Sequence, residues 1–309
     1  MDSIRVFASA TVANVGSAFD VLGFGVDSPG DELVLRKTDQ PGVKISKITG
    51  DEGRLPLETS RNTAGVSVEA YLSQIKADSG IEIEINKQMP LGSGLGSSAA
   101  SSVAAVFGAN KLFGDPVKQK DLLPFAMEGE RIACGAAHAD NVAPSLLGGF
   151  VLIRSYAPLD IVQIPCPEKL YCSIVHPIVE IRTEDARKIL RKEILLKDAV
   201  IQWGNVAGLI AGLYTSDYEL IGRSLDDVII EPERSLLIPG FYAVKEAALN
   251  AGALGCSLSG SGPSIFALSD SKEVADKVGK AMSQEFMNIN IQSNIYVSKI
   301  NQNGPIIKE

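Results

Sequence analysis

What the chain lacks already narrows its chemistry. It carries only four cysteines in 309 residues, Cys134, Cys166, Cys172 and Cys256, none in C-x-x-C spacing, and two histidines, His138 and His176. Neither a zinc-ligand pattern nor a disulfide framework is present, which fits a reducing compartment, so a cytoplasmic location is expected. Positive charge is scarce. Lys plus Arg is 29 against 37 Asp plus Glu, a formal net charge of −8, and no basic cluster stands out. Binding nucleic acid through its phosphates needs concentrated positive charge, so no nucleic-acid partner is expected. Long apolar runs are missing as well. The longest, Ala199 to Tyr214, is interrupted by Gln202 and Asn205 and is shorter than the roughly 20 residues that span a bilayer. The opening Met1-Asp2-Ser3-Ile4-Arg5 has no basic region leading into an apolar one, so it does not read as a signal peptide. No membrane role is expected.

What is present is the profile of an ordinary globular protein, 45% hydrophobic and 21% charged. The length is about twice the roughly 150 residues typical of one domain, so two packed domains are expected. The Pro-rich passage from Ala157-Pro158 to Pro167 is the best junction, which divides the chain into 1–160 and 161–309. Ile4 to Ala8 and Glu32 to Arg36 read as strands, with Gly23, Gly25, Pro29 and Gly30 as punctuation between them. Ile81, Ile83 and Ile85 alternate with Glu82, Glu84 and Asn86, the period of a half-buried strand. Helical spacing follows from Ala99 to Phe107 and from Leu122 to Ile132, and a strand is expected over Phe150 to Arg154. The second half mixes strands (171–175, 255–258, 265–268) with helices (183–191, 199–214, 218–225, 241–250).

Between the alternating strand and its helix lies Pro90-Leu91-Gly92-Ser93-Gly94-Leu95-Gly96-Ser97-Ser98-Ala99-Ala100. A glycine loop feeding a helix N-terminus suits an anion, because first-turn N–H groups lack partners within the helix and the helix dipole is positive there. The string is not a Walker A, since no lysine follows the last glycine, nor a dinucleotide fingerprint, since the third glycine of G-x-G-x-x-G would fall on Ser97. By spacing alone it could be a small-residue turn that brings helix and sheet together.

The full string resembles the ATP-binding motif of the GHMP kinases, a family of small-molecule kinases. That resemblance implies an α+β fold of two domains: an N-terminal one like the second domain of a small-subunit ribosomal protein, and a C-terminal ferredoxin-like one, with the active site between them. It implies ATP bound over Pro90 to Ala100, with Lys87 just upstream to meet phosphate charge, and Mg²⁺ held by Ser98 and by Glu130 of Glu128-Gly129-Glu130. Loop Leu258-Ser259-Gly260-Ser261-Gly262-Pro263-Ser264 resembles the third motif of the family and is expected to line the site.

Further segments are similar to one branch of that family, the homoserine kinases. His138-Ala139-Asp140-Asn141-Val142-Ala143-Pro144 with Gly148-Gly149 resembles the branch's H-x-D-N-V-A-P…G-G run. Relatives in other branches keep an aspartate as base here, whereas this branch has an asparagine at the catalytic position. The catalytic candidates are therefore Asn141 and Asp140, and the resemblance leaves open Asp140, Asn141 or no base at all. Ala10-Thr11-Val12-Ala13-Asn14-Val15-Gly16-Ser17-Ala18-Phe19-Asp20 resembles the branch's opening motif, with Ala18 where a glycine is usual. Thr183-Glu184-Asp185-Ala186-Arg187 and Glu231-Pro232-Glu233-Arg234 resemble its two arginine elements. By this likeness Asn14 and Asp20 receive the ammonium of L-homoserine, Arg187 and Arg234 its carboxylate, and Thr183, His138 and Gly260 complete the pocket. Two guanidinium groups suit an α-carboxylate and would be wasted on a neutral sugar. A homodimer is a further expectation. The competing readings are a related kinase acting on mevalonate or a sugar, and a non-catalytic sensor of ATP or an amino acid.

Overall fold

A computed structural model describes residues 2–135, 138–181 and 183–308. Two sheets organise it. The first has seven strands in the order β11-β1-β2-β4-β3, with β5 pairing a second stretch of β2 and β6 pairing β5. Its strands are β1 (Ser3–Val15), β2 (Ala18–Thr38), β3 (Val43–Thr49), β4 (Gly80–Asn86), β5 (Phe150–Tyr156), β6 (Leu159–Ile164) and β11 (Ile306–Lys308). The second sheet is antiparallel, in the order β10-β7-β9-β8, from β7 (Tyr171–Pro177), β8 (Gly255–Leu258), β9 (Ile265–Ser269) and β10 (Ser293–Lys299).

Helices α1 (Thr63–Ile75), α2 (Ser97–Leu112) and α4 (Val142–Leu147) pack with the first sheet, and α3 (Leu123–Cys134) packs on these helices. Helix α2 is buried on almost every side, which its run of Ser, Ala and Gly permits; at Gly108 a Cβ would stand 2.7 Å from Leu35 Cδ1. Burying small residues on all faces fixes where this helix begins, and its beginning is the glycine loop. In the second half, α5 (Thr183–Lys188), α6 (Leu196–Thr215), α7 (Tyr218–Ser224) and α8 (Glu231–Arg234) precede α9 (Phe241–Asn250) and α10 (Lys272–Asn288), of which α9 and α10 pack on the second sheet. No helix among the described residues is long and apolar enough to cross a membrane.

Three differences from the sequence reading have physical causes. The first strands are longer than expected, because Gly23 and Gly25 lie inside β2 instead of interrupting it. A Cβ at Gly23 would come within 1.8 Å of the Asp140 carbonyl oxygen and one at Gly25 within 3.2 Å of that of Pro144, so these glycines let the segment before and within α4 lie on the strand. The boundary expected at 160 falls inside β6, which pairs with β5 and carries the first sheet on to Ile164. The end of the described chain also returns to that sheet: Val26 bridges Ile300, and β11 pairs with β1 at Arg5–Phe7. Helix α10 had no place in the sequence reading, though Ala275, Val278, Met282 and Phe286 form its buried stripe.

Candidate active site

A cleft of about 440 Å³ runs beside the glycine loop and is walled by both halves of the chain. Gly92, Gly94 and Gly96 hold φ of +68°, +76° and +67°, the left-handed region that side chains disfavour. Two of these glycines are also constrained by space. A Cβ at Gly94 would lie 2.5 Å from the Ser259 carbonyl oxygen, and one at Gly96 would lie 2.0 Å from Thr11 Oγ1. The first loop thus rests on the second: Ser259 Oγ donates to the Gly94 carbonyl at 2.7 Å, and Ser264 N–H to that of Ser93 at 3.3 Å. Gly96 is the N-cap of α2 and supplies no side-chain cap, while Gly96, Ser97 and Ser98 line the cleft. An uncapped N-terminus of a 16-residue helix on a glycine nest fits polyphosphate.

Lys87, expected to meet phosphate, is committed elsewhere. Its ammonium is buried against Asp31 and donates to the Ser97 carbonyl and to Ser101 Oγ, both at 2.8 Å. Asp31 in turn accepts from Gln88 N–H (2.8 Å), Met89 N–H (3.1 Å) and Ser97 Oγ (2.8 Å). Taking either charge away would leave the other buried and unpaired. The pair therefore braces the root of the loop from below. Pro90, Ala99 and Ala100 also fall outside the cleft wall: Ala99 and Ala100 pack in the core, and the Ala100 N–H bonds to the Gly96 carbonyl at 2.9 Å.

Opposite the loop, Glu130 on α3 and Asp140 before α4 are both buried in the wall. Burial, then the charges of Asp20 and Glu130, push the Asp140 carboxyl up to about 7. Its Oδ1 has no hydrogen-bond partner among the described residues. A carboxyl raised in the folded state stabilises the fold at low pH and loses that contribution as pH climbs through the folded value. Without ligand, Asp140→Asn is therefore expected to melt higher than the parent at pH 8, with the difference growing from about pH 4 to 7 and level above that. Parallel melts from pH 4 to 8 read it; identical curves would show that Asp140 is not strained. Among the described residues no group of three or more His, Cys, Asp or Glu could hold a metal. The donors present, a carboxylate at Glu130 and the Ser98 hydroxyl, are hard oxygens that suit Mg²⁺ completed by phosphate and water.

At the other end of the cleft, the two charges expected to bind substrate bind each other. Arg187 donates to both Asp20 oxygens, at 2.8 and 3.1 Å. Arg234 is buried; its Nε donates to the Ala186 carbonyl at 3.1 Å and Nη1 to that of Gly260 at 3.0 Å. It has no carboxylate partner among the described residues, and burial followed by Arg187 lowers its guanidinium to about 10. The Phe19 ring lies under both arginines, 5.7 Å from Arg187 and 4.9 Å from Arg234. Asn14, expected to face the ammonium, is occupied: Oδ1 accepts from Asp20 N–H at 2.8 Å and Nδ2 donates to the Gly260 carbonyl at 2.9 Å. Burial, then Arg187, lowers the His138 pKa, against the charge of Asp20. The Thr183 side chain lies outside the described residues.

Sequence reasoning missed Asp31, Phe19 and Thr11 as parts of this site. Asp31 meets Lys87 across 56 positions with no local pattern to announce it. Phe19 and Thr11 sit within the quoted opening motif, where their neighbours Asn14 and Asp20 drew the assignment. Thr11 Oγ1 donates to Asn141 Oδ1 at 2.7 Å.

Comparison with known proteins gives the family. The family model described as GHMP kinases N terminal domain matches residues 62–149, and that described as GHMP kinases C terminal matches 209–288. A homoserine kinase of Chlorobium phaeovibrioides is 54% identical, with 98% of this chain and 99% of that protein covered. One from Chlorobaculum tepidum is 51% identical, with 98% of each covered. The crystal structure of homoserine kinase from Cytophaga hutchinsonii superposes with a TM-score of 0.98 at 62% identity, over 100% of this chain and 98% of that one. Mevalonate kinase of L. major, at 18% identity and a TM-score of 0.71 over 95% of both chains, shares the fold.

Proposed function

The chain belongs to the homoserine kinase family of the GHMP kinases, and from that premise we propose that it transfers the γ-phosphoryl group of MgATP to the side-chain hydroxyl of L-homoserine, giving ADP and O-phospho-L-homoserine. The observation that carries the acceptor's identity is Arg234, a buried guanidinium without a carboxylate partner among the described residues, beside the Asp20–Arg187 pair. An amino-acid zwitterion matches this set. Its carboxylate satisfies Arg234 and Arg187, and its ammonium takes the place of Arg187 on Asp20, so no charge is left unpaired. A neutral sugar offers neither.

The nucleotide phosphates rest on the glycine loop and the N-terminus of α2, with Ser98 and Glu130 holding the metal. Mg²⁺ held there would supply charge neutralisation for the nucleotide phosphates. The chain's remaining task is to place the acceptor in line and exclude water. Asn141 cannot accept a proton; its amide orients the reacting oxygens. Asp140, part-ionised near neutral pH, stands next in the chain for a proton that a loose transition state releases late. On this reading the enzyme works in the cytoplasm on the route to threonine.

The test is ADP release from the purified protein with MgATP and L-homoserine, D-homoserine, mevalonate, galactose or no acceptor. Release with L-homoserine alone is expected. Release with mevalonate or galactose instead would keep the kinase and remove the zwitterion pocket, and ATP binding with silence toward every acceptor would favour a sensor.

A further inference from the structure

We propose that Thr11 is a positioning residue for phosphoryl transfer, its hydroxyl fixing the Asn141 side-chain amide so that the NH₂ end faces the cleft. The inference rests on the kinase reading and adds to it a residue that touches neither nucleotide nor acceptor.

Four observations converge. Thr11 is fully buried in β1, and its hydroxyl donates to Asn141 Oδ1 at 2.7 Å. Asn141 occupies the N-cap of α4, where an asparagine oxygen ordinarily accepts from the first turn, yet it makes no side-chain cap bond. The oxygen is taken by Thr11 instead. With Oδ1 engaged, the amide's two N–H donors are left for the cleft that Asn141 lines. The pair is also tied to the nucleotide loop: Thr11 N–H donates to the Leu95 carbonyl at 3.0 Å. Finally, a Cβ at Gly96 would stand 2.0 Å from Thr11 Oγ1 and 2.8 Å from Asn141 Oδ1, so the third glycine of the loop keeps open the space this hydrogen bond needs. One glycine then serves both the phosphate cradle and the orientation of the amide.

The direction of the amide matters because only its NH₂ end can donate to oxygens that gain negative charge during transfer. Rotated by half a turn, it would present a carbonyl to phosphate oxygens and repel them.

Thr11→Val keeps the shape and removes the donor. Its kcat is expected to fall about 10- to 100-fold, with KM for ATP and acceptor within about twofold of the parent. Thr11→Ser restores most of kcat, and Thr11→Cys, a weaker donor, falls between. In an Asn141→Ala background, Thr11→Val has no further effect. A valine variant with parental kcat, a loss that serine does not restore, or additive losses with Asn141→Ala would each overturn the proposal. A second readout is independent of turnover. The Asn141 side-chain NH₂ signals in an NMR spectrum, identified by their loss in Asn141→Ala, shift in Thr11→Val and hold in Thr11→Ser; signals unmoved by valine overturn the proposal. The parent's turnover with L-homoserine is measured first, so failure of the substrate assignment is seen separately. If another alcohol is the acceptor, the same series is run on it, and if none is, the NMR series decides.

Discussion

Replacing Arg234 with leucine raises KM for L-homoserine about 100- to 1000-fold and leaves KM for ATP within about twofold. The size follows from what the guanidinium lacks. It is held at the end of α8 by a buried framework in which Glu231 pairs with Lys245 and accepts from Ser257 Oγ at 2.7 Å, while Asp227 accepts from the N–H groups of Ile229, Ile230 and Glu231. That framework fixes the side chain in the cleft wall, where burial depresses its pKa. On the proposed function a substrate carboxylate relieves this, and a charge-assisted bidentate contact of about 3 to 4 kcal/mol corresponds to roughly the stated factor. Arg234→Lys keeps the charge but not the planar fork, so its KM stays raised at least about tenfold. The ligand-free variant keeps most of its stability, because losing a desolvated charge offsets the lost bonds to the Ala186 and Gly260 carbonyls, and Gly260 still accepts from Asn14. Steady-state kinetics with both substrates varied decides it. Unchanged homoserine kinetics would remove the carboxylate assignment.

Glu130→Gln is expected to lower kcat about 100- to 1000-fold and to move half-maximal activity to higher Mg²⁺. The substitution keeps the shape on α3 and deletes a charge from a buried wall of the cleft. On the proposed function one carboxylate and one hydroxyl are the protein's metal donors, so loss of the carboxylate would leave Mg²⁺ to the Ser98 hydroxyl, phosphate and water. A second effect distinguishes this from a general packing defect. Glu130 is one of the charges that raise the Asp140 carboxyl, so removing it lets Asp140 ionise at lower pH. The acid limb of the remaining activity should move down in pH. Full turnover at low Mg²⁺ would show that the metal ligand lies elsewhere, and an unmoved acid limb would separate Asp140 from the reaction.

Much of this site was legible because its parts are local. The strand β4, the glycine loop and α2 run consecutively, so a period-two pattern, three glycines and a small-residue helix could be read in order. The segment from His138 to Pro144 was legible for the same reason. What escaped depends on distant groups meeting. Lys87 looked like a cation in reach of phosphate until Asp31, Ser97 and Ser101 closed around it. Asp20 and Arg187 were read as opposite charges of one pocket, but nothing in their spacing shows that they pair with each other across 167 positions. Gly23 and Gly25 read as turn residues because closeness to another backbone, their actual reason, leaves no local pattern.

The return of the chain to β1 bears on how the enzyme comes into being. β11 supplies the outer neighbour of β1, and Arg5 waits for Lys308, about 300 residues later. At ribosomal speeds of roughly 5 to 20 residues per second, that is a delay of about 15 s to a minute. Throughout it, one edge of the first sheet is open, and β1 is the strand that carries Thr11 and reaches the glycine loop through Leu95. Until β11 arrives, the strand that ties Thr11 to the glycine loop therefore carries an unpaired edge.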